Sequence, residues 1–154
     1  MHSRIFQVSM EPIAKYNYIE ENDFYDHWFT NEIADYVSDS CDRDHDIDWF
    51  KVATAGCEFG EDENGKYFIV KNKARYFADK FDKFKNAAEQ LSVATIDEFV
   101  DGLSHAMYKL IQAYEDKYGF YIDADGELMT RDEFIRGCAT DEKYYFGNTI
   151  DYHM

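Results

Sequence analysis

Residues 61–70 read Glu-Asp-Glu-Asn-Gly-Lys-Tyr-Phe-Ile-Val, and this stretch decides the class of fold. Asn64-Gly65 is a favoured dipeptide for tight hairpin turns, because both positions tolerate a positive φ angle. The aromatic and β-branched residues that follow it predict a strand over 66–70. Apolar residues over 47–55 predict a preceding strand. Residues 47–70 therefore predict an antiparallel hairpin with an acidic tip.

The segments before this hairpin supply one strand and one helix. Residues 4–10 are rich in β-prone side chains, and Pro12 ends the predicted strand. Asn22 is a favourable N-cap, and large apolar residues then recur at helical spacing, which predicts a helix over about 23–39.

The segments after the hairpin are mainly helical. Apolar residues stepping by three and four predict a helix over about 73–91, and a Thr95–Glu98 capping box opens a second over about 96–117. A hairpin around 120–129, a short helix after Thr130 and a strand near 144–146 complete the chain. We predict an α+β fold, with a small, mostly antiparallel sheet and three to four helices packed on one side.

The composition predicts that residues 1–154 form a single compact acidic domain. Apolar residues make up 45% of the chain and aromatic residues 18%, which exceeds what acidic disordered chains contain. No apolar run approaches the roughly 20 residues that cross a bilayer, and the N-terminus lacks the apolar stretch of a signal peptide. Three widely spaced cysteines suit free thiols. We expect a cytoplasmic protein that does not bind membranes.

The negative charge is gathered into one region. The net charge is −16, and residues 20–64 hold fifteen acids and two bases. Residues 71–90 hold six bases and three acids. A chain this acidic is repelled by phosphate backbones, which argues against direct binding to nucleic acid. The concentration of acids in one region points instead to a basic protein partner.

The densest part of that region is an alternation of aspartates at every second position, which are Asp42, Asp44, Asp46 and Asp48. In an extended chain these side chains would share one face at intervals of about 6.6 Å, a spacing similar in scale to nucleic-acid phosphates. The same run also fits a solvated loop. It fits a Ca²⁺ or Mg²⁺ site less well, since no glycine shapes a loop and no bidentate glutamate follows.

Other candidate chemistry is weakly marked. Residues 121–132 match the middle of an EF-hand loop at Asp123, Asp125 and Gly126 but lack its first, ninth and twelfth ligands. No nucleophile elbow or cysteine-protease signature surrounds any cysteine. We predict no cofactor and no catalytic residue.

The main hypothesis is therefore a non-enzymatic protein that docks its acidic face into a basic groove. In composition the chain resembles the nucleic-acid mimics that inhibit restriction or CRISPR nucleases, although no motif is shared. The expected partner is a basic protein such as a nuclease or a DNA-binding protein. The predicted contact residues are Asp26, Glu32, Asp35, Asp39, Asp42, Asp44, Asp46, Asp48, Glu61, Asp62 and Glu63. The alternatives are a small metal-dependent or acid–base enzyme using the same carboxylates, and an accessory domain whose acidic face is only solvated.

Overall fold

The last strand of the chain organises the sheet. The computed structural model describes residues 1–154, and its strands are β1 His2–Ser9, β2 Tyr36–Ser38, β3 Cys57–Asp62, β4 Gly65–Val70, β5 Tyr121–Ala124, β6 Glu127–Thr130 and β7 Lys143–His153. The strand order is β3-β4-β7-β1-β5-β6, with β2 also pairing with β7. Every pairing is antiparallel except that of β1 with β5.

Six α-helices accompany the sheet. They are α1 Trp28–Glu32, α2 Arg43–Ala53, α3 Lys73–Ser92, α4 Ile96–Asp101, α5 Ser104–Tyr114 and α6 Arg131–Gly137. The predicted α+β class with a mostly antiparallel sheet is confirmed, although the sheet has seven strands and the helices outnumber the prediction. None of the helices combines the length and the apolar character that crossing a lipid bilayer requires.

Strand β7 shares one of its sides between two short partners. Its first residues pair with β4 and its last with β2, while β1 runs along the other side. Between the two partners, the carbonyl of Phe146 accepts a hydrogen bond from Arg43 Nη2 at 2.9 Å, and that of Thr149 accepts one from Cys41 Sγ at 3.1 Å. Side chains from the start of α2 therefore satisfy backbone groups that no strand reaches.

Both faces of the sheet are covered. A core of thirteen buried residues lies on one face, where α2 contributes Ile47 and Phe50 and α6 contributes Phe134 and Ile135. A smaller core of seven lies on the other face. The segment around α1 covers that second face with buried residues that include Phe29.

Two element predictions are wrong. The helix predicted over 23–39 is interrupted at Asp26, which has a φ angle of 55°, and its last part forms β2 by pairing with β7. The strand predicted over 47–55 is part of α2, because Asp42 caps the helix by accepting a hydrogen bond from the His45 amide at 3.2 Å. In the first place pairing with β7 outweighs the local helical pattern, whereas in the second a local capping signal outweighs the apolar character of 47–55.

Of the hairpin predicted over 47–70, the acidic turn and the second strand are confirmed, but its first strand is β3 at Cys57–Asp62. The helix α3 is confirmed, and the second long helix is confirmed in part. Gly102 has a φ angle of 111° and divides that helix into α4 and α5. Helices α3 and α5 pack against each other. We call residues 73–114 the helical hairpin.

A polar cluster fixes the base of the helical hairpin to the sheet. The buried carboxylate of Asp132 accepts hydrogen bonds from Tyr76 Oη at 2.7 Å and from the Asp116 amide at 2.8 Å, and lies 2.8 Å from Lys80 Nζ. Burial alone would raise the pKa of Asp132, but the hydrogen bonds from Lys80, from the Asp116 amide and from Tyr76 outweigh it and lower this pKa.

The lowered pKa predicts how Asp132→Asn changes stability with pH. A depressed pKa stabilises the fold above the unfolded-state value of about 3.9, and this contribution is lost as the pH falls through the folded-state value. We expect Asp132→Asn to lower the free energy of unfolding by about 2 kcal/mol near neutral pH, and the difference to shrink below about pH 4.

Urea unfolding of both proteins across this pH range measures the difference. Asp125→Asn is the control, because Asp125 is an exposed turn residue, and we expect it to change stability little at any pH. A deficit for Asp132→Asn that stays constant down to acid pH would contradict the ionic role of Asp132.

Candidate protein-interaction surface

The four alternating aspartates lie at the start of α2 rather than on an extended chain. Residues two apart on an α-helix point about 200° apart, so the predicted phosphate-like row does not exist. Asp42 is the N-cap, while Asp44 and Asp48 are one helical turn apart and face solvent. The residues of this run therefore have separate structural roles.

Asp46 faces the core, so the prediction that it contacts a partner is wrong. Its side chain is 1% exposed and accepts hydrogen bonds from Arg4 Nε at 2.8 Å and Thr149 Oγ1 at 2.9 Å. Arg4 also pairs with Asp151 on β7. Asp46 thus joins α2 to β1 and β7, and it is not accessible to a partner.

Most of the other predicted residues are exposed. Those facing solvent are Asp26, Glu32, Asp35, Asp39, Asp42, Asp44, Asp48, Glu61 and Glu63. Asp62 is partly buried and accepts hydrogen bonds from Lys143 Nζ at 2.9 Å and Tyr145 Oη at 2.8 Å. The hydrogen bond from Lys143 lowers the pKa of Asp62. Asp62 is thus engaged within the chain.

The exposed residues divide into two groups. Burial raises the pKa of Asp123 on β5, and His27, next to Asp26, is one of the ionisable side chains near this carboxyl. Strand β5 is four strand intervals from β3, or about 19 Å at 4.8 Å per interval. Asp26 and Glu32 belong to the segment around α1 that covers the second core. They are therefore separate from the acids around α2 and the β3–β4 turn.

We name the larger group the acidic edge, and it comprises Asp35, Asp39, Asp42, Asp44, Asp48, Glu61 and Glu63. Asp35 and Asp39 flank β2, Asp42 begins α2 three residues later, and Asp48 and Glu61 line one shallow groove between α2 and the β3–β4 hairpin. The groove has a volume of about 230 Å³. The acidic edge therefore runs from the end of β7 to the hairpin turn.

Basic side chains neutralise part of this edge. Lys66 Nζ bonds Asp44 at 2.9 Å, and this hydrogen bond lowers the pKa of Asp44. Lys51 and Lys66 line the groove beside Asp48 and Glu61. Lys51 is one of the two bases within residues 20–64, whereas Lys66 lies just beyond that region and is brought opposite Glu61 by the turn between β3 and β4.

Five members of the acidic edge have no ion pair within the chain. They are Asp39, Asp42, Asp48, Glu61 and Glu63, whereas Asp35 lies near His153 and Asp44 pairs with Lys66. An exposed carboxylate with no internal ion pair keeps its charge available to a cation on another molecule, and this holds for Asp42 although it also accepts the helix-capping hydrogen bond. These five residues are the strongest candidates for contact.

The cysteines are poor candidates for nucleophiles. Burial raises the pKa of Cys57 to about 11 and also raises the pKa values of Cys41 and Cys138. Raised pKa values keep these thiols protonated at neutral pH, and the protonated form is unreactive. No group of three or more His, Cys, Asp or Glu side chains is arranged to hold a metal ion.

Known proteins do not add to this picture. No model of a protein family, no curated protein and no solved structure matches the chain. Function is therefore inferred from the placement of charge on the acidic edge.

Asp46 is buried and Asp48 is exposed on the same helix, so we expect substitution of the two residues to lower the free energy of unfolding by different amounts. We expect Asp46→Ala to lower the free energy of unfolding by about 3 kcal/mol, because it leaves Arg4 with one carboxylate partner fewer in a largely buried site. We expect Asp48→Ala to change it by less than about 0.5 kcal/mol, because Asp48 is exposed and unpaired. Urea unfolding monitored by circular dichroism measures both. Equal effects of the two changes would contradict the structural role of Asp46.

Proposed function

We propose that the protein is a non-enzymatic protein-binding domain whose acidic edge docks into a basic groove of a nucleic-acid-binding protein, such as a nuclease. The observation that carries this proposal is the exposure of the seven carboxylates of the acidic edge, which are distributed around β2, the start of α2 and the β3–β4 turn. Five of them are unpaired, so their charge is available to a partner. A groove that normally holds phosphates supplies the complementary charge.

The distribution of charge supports docking over a broad surface rather than at a point. The helical hairpin holds six acids and six bases, so the entire net charge of −16 belongs to the rest of the chain. A surface potential of this kind raises the rate of association with a basic partner and falls with added salt. The proposed mimicry is one of charge and not of phosphate spacing, because α2 separates the alternating aspartates.

The groove between α2 and the β3–β4 hairpin carries both acidic and basic side chains, and this pattern would orient a partner on the acidic edge. Lys51 and Lys66 lie beside Asp48 and Glu61, so a partner meets a pattern of both signs. Such a pattern fixes the register of docking more than it adds affinity. The unpaired Cys41, Cys57 and Cys138 support the expected location in a reducing cytoplasm.

A pair of triple variants tests the role of the acidic edge. The first carries Asp48→Asn, Glu61→Gln and Glu63→Gln. The control carries Asp26→Asn, Asp125→Asn and Glu127→Gln, which removes the same number of charges from exposed positions away from the acidic edge. Asparagine is tolerated at Asp26 and Asp125, whose φ angles are 55° and 53°.

Each protein is immobilised, exposed to bacterial lysate at low salt and eluted with competing duplex DNA. We expect the wild type and the control to retain a protein that duplex DNA releases, and the edge variant to bind it at least about tenfold more weakly. Raising salt from about 0.05 M to about 0.2 M should weaken the binding.

Two outcomes would count against the proposal. Equal loss of binding in both triple variants would show that net charge alone attracts the partner. Binding that is unaffected by duplex DNA and by both variants would favour an accessory domain with a solvated acidic face.

The alternative of a metal-dependent enzyme is tested by thermal unfolding with divalent cations. Asp42, Asp44 and Asp46 respectively cap α2, pair with Lys66 and bind Arg4, so they do not converge on one ion. We expect about 1 mM Mg²⁺, Ca²⁺ or Mn²⁺ to change the melting temperature by less than about 1 °C. A large stoichiometric stabilisation would favour the enzyme.

A further inference from the structure

The helical hairpin exposes an unusual amount of apolar surface. It holds nine of the seventeen large apolar side chains that are exposed in the whole chain, although it spans residues 73–114 only. Of the core residues of the fold, it contributes Tyr76 alone. Beyond its base, where Tyr76 and Phe77 contact the larger core, the apolar residues of its two long helices pack mainly against each other.

The two sides of the helical hairpin differ in chemistry. One side carries a groove of about 270 Å³ lined by Phe77, Phe81, Phe84, Tyr114 and Arg136, among others. The other side carries a polar groove of about 500 Å³, whose lining includes lysine and amide side chains. The hairpin therefore has one apolar and one polar side.

Helix α5 extends the apolar side towards the tip. Met107, Ile111 and Tyr114 recur at spacings of four and three, so they share one stripe. Ile111 is 60% exposed and Phe81 on α3 is 58% exposed. Short helix α4 adds exposed Phe99 and Val100 at the tip. We call the stripe formed by Phe81, Met107, Ile111 and Tyr114 the apolar stripe.

The base of the helical hairpin is fixed, so the apolar stripe is held in place. The Arg136 guanidinium lies 4.7 Å from the ring centre of Phe77 and 4.1 Å from that of Tyr114. Asp132 bonds Tyr76 and Lys80 on α3. A surface ordered before binding loses little conformational entropy when it associates.

We propose that the apolar stripe is a dimer interface that binds the same stripe of a second copy of this chain. The helical hairpin has no net charge, whereas the remaining residues carry −16. Two copies therefore repel each other everywhere except where their hairpins meet. A twofold contact of two antiparallel helix pairs gives a four-helix bundle, in which each apolar stripe covers the other.

The exposed area is sufficient for such a contact. If a full side chain of this kind presents about 150 to 200 Å², the nine exposed residues of the hairpin together offer on the order of 1,000 Å², of which the four residues of the apolar stripe supply about 400 Å². An interface of standard size covers about 800 Å² on each partner. Exposed apolar patches on monomers are normally a few hundred Å².

The length of the helical hairpin keeps the acidic bodies apart. Helix α3 has 20 residues and is about 30 Å long at 1.5 Å per residue. An antiparallel contact along this length separates the bodies by more than the Debye length of about 8 Å at physiological salt. The acidic edge lies outside the hairpin, so this inference concerns a different surface from the proposed function.

Analytical ultracentrifugation of the full chain tests the interface. We expect the wild type to sediment at twice the 18.2 kDa chain mass. Ile111→Asp and Phe81→Asp place a charge in the apolar stripe and should raise the dimer dissociation constant about a hundredfold or more. Val52→Asp is the control, because Val52 is 87% exposed on α2, outside the hairpin, and it should remain dimeric. Circular dichroism establishes that each variant folds.

Salt separates this inference from the proposed function. Added salt screens the repulsion between two acidic bodies and should strengthen the dimer, whereas it should weaken docking of the acidic edge. A monomeric wild type at about 100 µM, or a dimer that survives Ile111→Asp and Phe81→Asp together, would overturn the proposal. A monomer that binds vesicles of neutral phosphatidylcholine would also overturn it and assign the stripe to lipid.

Discussion

The fold depends on how the backbone carbonyls in the part of β7 that no strand pairs with find hydrogen-bond donors. This strand is eleven residues long, and two short strands leave a gap along one of its sides. Arg43 and Cys41 donate hydrogen bonds to its carbonyls in that gap, and Asp46 connects the same helix to Arg4 on β1. Because the start of α2 must lie against β7 to make these contacts, the acids that follow it are carried to the edge of the sheet.

This constraint explains why neighbouring aspartates have different roles. Asp42 caps α2, Asp46 faces inward to the arginine, and Asp44 and Asp48 face outward. Residues two apart on a helix point about 200° apart, so Asp46 turns inward while Asp44 and Asp48 face solvent, and the N-cap Asp42 is also exposed. The acidic edge is completed by Glu61, which the β3–β4 hairpin brings alongside α2, and by Glu63 in the turn of that hairpin.

The distribution of charge and apolar surface divides the molecule into two parts. The sheet and its packed helices carry all of the net charge, while the helical hairpin is neutral and presents the apolar stripe. Each part therefore suits a different kind of contact: electrostatic docking on the acidic edge, and apolar association on the hairpin. The polar cluster around Asp132 and the stacked Arg136 hold the two parts in a fixed relation.

The sequence by itself determined the elements whose signals are local. The hairpin signal at Asn64-Gly65, the Thr95–Glu98 capping box and the three-and-four spacing of 73–91 each depend on near neighbours in the chain. The capping box and the helix are present as predicted, and the hairpin turns one residue earlier, at 63–64, with Gly65 beginning β4. Tertiary structure decided the rest. Pairing with β7 converted residues 36–38 from predicted helix to strand, and the contact with Arg4 buried Asp46. The sequence also cannot distinguish an apolar stripe that packs into the core from one that stays exposed. The helical spacing of apolar residues shows which side of the helix is apolar, but it does not show what packs against that side.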